Sequence, residues 1–161
     1  MIHSQVIREG CDQDSEQVIK LIGDAFAEYP GCVLDVDLEC PDLRAPASHF
    51  RKIGGRFWVA GSRQIVGTTS CAPIHDGTAL ELKRLYVAAD ARGRGLGTRL
   101  CELVEKEARI RGLGMIELWT DTRFLDAHRL YERLGYVRQQ ETRDLQDLSN
   151  TTEYRYLRIL D

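Results

Sequence analysis

Along this 161-residue chain the spacing of apolar positions switches between the period of a strand and that of a helix. Ser4 to Arg8 reads as a short strand. Asp14-Ser15-Glu16-Gln17 has the composition of a helix start, and Val18, Leu21, Ile22 and Phe26 then recur at helical spacing as far as Tyr29, where Pro30-Gly31 stops the run. Leu34-Asp35-Val36-Asp37-Leu38-Glu39-Cys40 alternates apolar and acidic residues. It predicts a half-buried extended segment with a solvated acidic face; on a second reading the same acids form a wall near a positively charged substrate. A short helix follows from Ala47 to Ile53. Strands Arg56–Ala60 and Gln64–Cys71 flank the turn Gly61-Ser62-Arg63, and a third runs from Ala79 to Val87. Neither face of that third strand is purely apolar, so polar work or solvent is expected at one end. Gly97 to Arg111 is an amphipathic helix with Leu100, Leu103, Val104 and Ala108 on one face. Met115–Thr120 is a strand. Asp126–Leu134 is a helix with Ala127, Leu130 and Leu134 as its inner stripe and Gly135 as its cap. Two last strands, Tyr136–Arg143 and Thr152–Leu160, are joined through a turn at Asp147–Asn150.

The order is mixed α and β with a strand–helix–strand–helix run in the middle, and the length suits one domain spanning residues 1–161. Hydrophobic residues make up 43% and charged residues 29%, enough to bury a core and too balanced for a disordered or fibrous chain. The formal net charge of −3 argues against a general nucleic-acid binder. No apolar run reaches the ~18–20 residues of a membrane span, and Met1 to Gln5 lacks the features of a secretory leader, so no membrane partner and a cytoplasmic location are expected. The five cysteines are scattered, with no C-x-x-C and no zinc spacing, which fits free thiols and no metal.

Candidate chemistry gathers at Arg92-Gly93-Arg94-Gly95-Leu96-Gly97-Thr98, between a strand and a helix. A helix N-terminus presents free N–H groups and partial positive charge, and glycine lets the backbone approach an anion. The segment is not a Walker loop, and it lacks the position and acidic partner of a dinucleotide fingerprint. It resembles the R/Q-x-x-G-x-G/A pyrophosphate loop of the GNAT superfamily of acyl-CoA-dependent N-acyltransferases. Glu81-Leu82-Lys83-Arg84-Leu85-Tyr86-Val87 is similar to the strand that precedes this loop in the family. Ala127-His128-Arg129-Leu130-Tyr131-Glu132-Arg133-Leu134-Gly135-Tyr136 is similar to the family's A-x-x-L-Y-x-x-x-G-F/Y signature. The three blocks stand in the family's order and spacing.

The resemblance implies a mixed, V-shaped sheet of six or seven strands flanked by helices, and acetyl-CoA as co-substrate. The cofactor would lie where the Ala79–Val87 and Met115–Thr120 strands splay. Its pyrophosphate would meet the N–H groups of Arg94, Gly95, Leu96, Gly97 and Thr98, beside Arg92 and Gly93. Its pantetheine arm would pair with the backbone of Leu85, Tyr86 and Val87. Phe124 stands where the family often has an asparagine, and is expected to pack on that arm.

Tyr131 matches the family's helix tyrosine, the general acid for the leaving thiolate. Glu81 resembles its strand glutamate, the base that takes a proton from the amine; placed on the same strand face as Val87, it would sit near the centre of the cleft. Backbone N–H groups near Tyr86 and Val87 would hold the developing oxyanion. Tyr29, Asp35, Asp37 and His128 are candidates to meet the acceptor, with a solvated surface role as the alternative for the acids and for the histidine. The expected reaction is direct acetyl transfer to the primary amine of a small molecule that carries a second positive charge. A protein or peptide acetyltransferase and a non-catalytic CoA sensor are the alternatives, and a homodimer is compatible with each.

Overall fold

The computed structural model describes residues 4–161; residues 1–3, part of the stretch read above for a leader, lie outside the described residues. Strand β1 (Ile7–Glu9) leads into α1 (Ser15–Ala27), α2 (Val36–Glu39) and α3 (Pro46–Lys52). Then come β2 (Arg56–Ala60), β3 (Gly67–Ile74), β4 (Ala79–Val87), α4 (Leu96–Ile110), β5 (Met115–Asp121), α5 (Leu125–Arg133), β6 (Val137–Asp144) and β7 (Thr152–Ile159). The seven strands form one sheet in the order β1-β2-β3-β4-β5-β7-β6. All neighbours are antiparallel except β4 and β5, which the α4 crossover makes parallel.

Each face of the sheet carries its own core. On one side α1 and α3 bury Val18, Leu21, Ile22 and Phe50 against Phe57 and Val59. On the other, α4 and α5 bury Cys101, Val104 and Tyr131 against Leu80, Leu82, Ile116, Leu118 and Tyr156.

The Leu34–Cys40 segment is not extended. Asp35 caps a single helical turn by accepting a hydrogen bond from the Leu38 N–H at 2.9 Å. Val36 turns inward while Leu38 is 77% exposed. The cap supplies local hydrogen bonds that an isolated extended segment lacks, and it overrides the alternation.

Strand β4 is irregular. Lys83 pairs with Ser70 and Tyr86 with Thr68, so three steps on β4 oppose two on β3. Arg84 sits within this bulge at φ +54°, a left-handed conformation that a residue with a Cβ rarely adopts. One extra residue exchanges the faces of everything downstream. Leu82 packs toward α4, and beyond the bulge so do Leu85 and Val87, whereas Tyr86 packs toward α1. The bulge thus explains the mixed polarity of both nominal faces: Leu82, Leu85 and Val87 form one apolar side. It also corrects the expectation for Glu81, which shares a face with Tyr86 and not with Val87.

Leu118, in the centre of the sheet, is 1% exposed. Leu118→Ala should cost about 2–5 kcal/mol in urea unfolding, because the side chain leaves a cavity with no atoms to fill it. Leu38→Ala should stay within about 0.5 kcal/mol of the parent.

Candidate active site

Strands β4 and β5 are paired only at Leu80–Ile116 and Glu81–Glu117. Beyond that they diverge, and the edge of β4 from Lys83 to Val87 has no strand partner on the β5 side. A cavity of about 1120 Å³ opens there, and it runs from the turn before α4 to the strands that carry Glu81 and Glu153.

At one end lies the start of α4. Gly95 caps this 15-residue helix at φ +81°, and a Cβ built on it would meet nothing within 4 Å. The space in front of the helix N–H groups is therefore open, as an anion-binding turn requires. Gly97 lines the same cavity, and a Cβ there would also come within 2.9 Å of a terminal methyl of Leu130 on α5. Arg92 pins the turn: its Nε donates to the Val87 carbonyl at 2.9 Å and its two terminal nitrogens to Glu28 at 2.7 Å each. Gly93, Leu96 and Thr98 line the cavity, while the Arg94 side chain is exposed outside it.

The walls are aromatic. Phe124, at the N-cap of α5, lies 4.8 Å from Tyr29 and 6.1 Å from Phe26 between ring centroids, so the end of α1 meets the start of α5 across the cleft. Leu85, Tyr86 and Val87 line the same space, as does Tyr131. Tyr131 is 5% exposed, and burial pushes its phenol well above the usual tyrosine range. Packed against Tyr136 and Tyr156, it stays protonated at physiological pH.

The far end holds two carboxylates. Glu81 projects from β4 with Lys83 Nζ at 3.7 Å. Glu153 projects from β7, directly opposite Asp121 of β5. Burial raises the Glu153 carboxyl above the usual range, and the nearby Glu81 pushes the same way. Arg143 opposes them by donating to Glu153 at 2.7 Å, and its guanidinium stacks 4.2 Å above Trp119. A carboxylate raised toward neutrality is better matched to proton transfer than an ordinary one. No feature of the sequence singled out Glu153, because it lies in a strand that reads as plain alternation.

The acids expected to face the acceptor separate. Asp35 lines the cavity, but one of its oxygens caps α2. Asp37 is not in the cavity; it lies at the surface, 3.0 Å from Arg44. Asp42 is engaged by Arg84, whose Nε and Nη2 donate to it at 3.0 and 2.8 Å. Of the acids in this loop, Asp35 and Glu39 line the cavity, whereas Asp37 and Asp42, outside it, are paired with arginines. His128 also lies outside the cavity. It is 7% exposed, its Nε2 is 2.9 Å from the Asp121 carbonyl, and its ring sits beside Tyr154 and Tyr156. Burial lowers its pKa, so a neutral ring donating to that carbonyl ties α5 to β5.

Two loops meet at the acceptor end. The Ser149 hydroxyl accepts from the Val33 N–H at 2.8 Å and donates to the Val33 carbonyl at 3.1 Å, which joins the β6–β7 loop to the segment after α1. Among the described residues no cluster of potential metal ligands occurs, and no helix is long and apolar enough to cross a membrane.

The sequence matches the acetyltransferase (GNAT) family over residues 18–136. It is 32% identical over 117 residues to the N-acetylaspartate synthetase of Danio rerio, covering 72% of this chain and 40% of that protein. The chain thus spans less than half the length of that relative. Among solved structures, an acetyltransferase of the GNAT family from Staphylococcus aureus Mu50 superposes with a TM-score of 0.83 at 23% identity, over 98% of this chain and all of that one. An acetyltransferase from Salmonella typhimurium, solved with its cofactor acetyl-CoA, superposes at 0.73 and 16% identity, over 99% of this chain and 95% of that one. The family match, the seven-stranded sheet with one parallel pair, and the glycine turn before α4 agree: this chain belongs to the GNAT acetyltransferase family.

Proposed function

We propose that the chain is a single-domain, acetyl-CoA-dependent N-acetyltransferase that transfers the acetyl group directly to the primary amine of a small molecule. One observation carries the choice of a small acceptor: the Ser149–Val33 hydrogen bonds draw the β6–β7 loop and the segment after α1 together at the acceptor end, where an extended peptide would have to lie between them. A cytoplasmic setting goes with this reading, since all five cysteines are free.

The residues fit acetyl-CoA. The open space at Gly95 and the N–H groups of the first turn of α4 would hold the pyrophosphate, and the free edge of β4 from Leu85 to Val87 would take the pantetheine amides as an added strand. Phe124 and Tyr29 would cover the arm from water. When bound, acetyl-CoA supplies the activated acetyl group.

At the acceptor end a primary amine arrives mostly protonated, its pKa being ~10.4 for an alkylamine. Glu81 and Glu153 would take that proton. Burial, with the nearby Glu81 pushing the same way, makes Glu153 a stronger base than an ordinary carboxylate, and Arg143 holds it in place. Backbone N–H groups of β4 beside Tyr86 and Val87 would face the negative charge that develops on the carbonyl oxygen. Tyr131 would then donate its proton to the departing sulfur. A thiol has a pKa of ~8.5 in water, below that of the buried phenol, but the same apolar surroundings raise the proton affinity of the thiolate and narrow the gap.

CoA at ~100-fold its Kd should add ~2.7 kcal/mol, a rise of about 5–10 °C in melting temperature. Gly95→Glu should abolish that shift, because its carboxylate fills the anion space; a normal shift would remove the turn from the site. In thiol-release assays Tyr131→Phe should lower kcat by ~10²-fold or more while the CoA shift persists. Near-normal turnover would mean that another group protonates the thiolate. Glu153→Gln and Glu81→Gln should each lower kcat/KM for the amine. Each loss should shrink as pH rises toward the amine's own pKa, where free amine no longer needs a base. A defect constant across pH would assign both carboxylates a structural role.

A further inference from the structure

Two donors face the acceptor cavity with no group to receive them among the described residues. Arg84 is held by the bulge of β4 at φ +54°, a strained backbone of the kind that gathers at ligand sites. Asp42 grips one edge of its guanidinium through Nε and Nη2, at 3.0 and 2.8 Å. A guanidinium carries five donors in a planar fork. Asp42 takes two, and Nη1 has no hydrogen-bond partner among the described residues. Nor is it among the polar atoms sealed from solvent without a partner, so its outer edge is open to the cavity that Arg84 lines.

Tyr86 stands two residues along β4, beyond the bulge, and lines the same cavity. Burial pushes its phenol up to about 12 against the opposing pull of the neighbouring Arg84, so it is a neutral donor at physiological pH. Its hydroxyl, too, has no hydrogen-bond partner among the described residues. A rigid guanidinium edge with a phenol beside it matches the two oxygens of a carboxylate.

The other charged groups lining this end do not provide such a place. Arg143 is committed to Glu153, and Lys83 lies beside Glu81. Asp35 and Glu39 are acids that would repel a carboxylate from their side of the cavity. Because Arg84 and Asp42 cancel in net charge, selection here depends on hydrogen-bond geometry more than on a long-range field.

We propose that Arg84, positioned by Asp42 and assisted by the Tyr86 hydroxyl, binds the carboxylate of the acceptor, which is an α-amino acid. The amine of the same molecule is left to face Glu81 and Glu153. This deepens the acetyltransferase reading and rests on it for the amine end only.

The test uses the whole chain, acetyl-CoA, and two probe panels: the standard L-α-amino acids and the same compounds as α-carboxamides. Thiol release should favour at least one acid over its amide by 10-fold or more in kcat/KM. Calorimetry in the presence of CoA should show binding of the corresponding N-acetyl amino acid and none of its amide. Arg84→Gln combined with Asp42→Asn removes the ion pair without stranding a buried charge. That variant should keep its CoA melting shift, raise KM for the acid by 10-fold or more, and lose the preference for acid over amide. Arg84→Lys, which keeps charge but not the fork, should lose most of it as well. Turnover of amides or simple amines as good as that of acids, no binding of any acid, or an equal loss for both panels in the double variant overturns the subsite. Acid binding that depends on Arg84 in a protein releasing no thiol keeps the subsite and instead defeats the acetyl-transfer reading.

Discussion

The site depends on strands β4 and β5 parting after two paired residues. A parallel pair normally continues its hydrogen bonds along its length. Here pairing ends at Glu81–Glu117, and the bulge at Arg84 turns the rest of β4 away from the ladder. Backbone groups that a closed sheet would consume are left facing a cavity. The same irregularity puts Arg84 and Tyr86 on the α1 side and Leu85 and Val87 on the α4 side. The parting of the strands opens the cleft, and the one inserted residue anchors its floor in the α4 core and aims polar side chains into it.

Around that opening the chain spends its polar interactions on fixing geometry. Arg92 ties α1 to the turn before α4 through Glu28. His128 ties α5 to the end of β5, and Ser149 ties the last loop to the segment after α1. The Arg92–Glu28 and Ser149–Val33 links join elements distant in sequence, and the His128 link joins two consecutive ones. A single ion pair or hydrogen bond of this kind adds only about 1 kcal/mol to stability. Their value lies in holding the helix N-terminus, the free strand edge and the carboxylates in one arrangement, which a catalytic site needs more than it needs added stability.

Much of this was legible in the residues. Helical periodicity located α1, α4 and α5, and the glycine-rich turn followed by an amphipathic run marked the N-terminus of α4. The acidic alternation of Leu34–Cys40 misled, because a local cap at Asp35 outweighs a burial pattern only seven residues long. The face of Glu81 could not be read either, since a bulge leaves no mark in the sequence beyond a strand whose two sides both look mixed. Glu153 and Arg84 were hidden for a related reason. Their neighbours come from β5, β6 and the turn at Asp42, and only the folded sheet brings those together.

Hydrogen–deuterium exchange along β4 tests the central claim most directly, since the free strand edge must become paired when the cofactor arm lies against it. With CoA added, the amides of the Lys83–Val87 stretch and of the first turn of α4 should gain protection, while those of β1 and β2, which do not line the cavity, should not change. Protection that appears elsewhere, with the β4 edge and the α4 turn exchanging as before, would contradict the account.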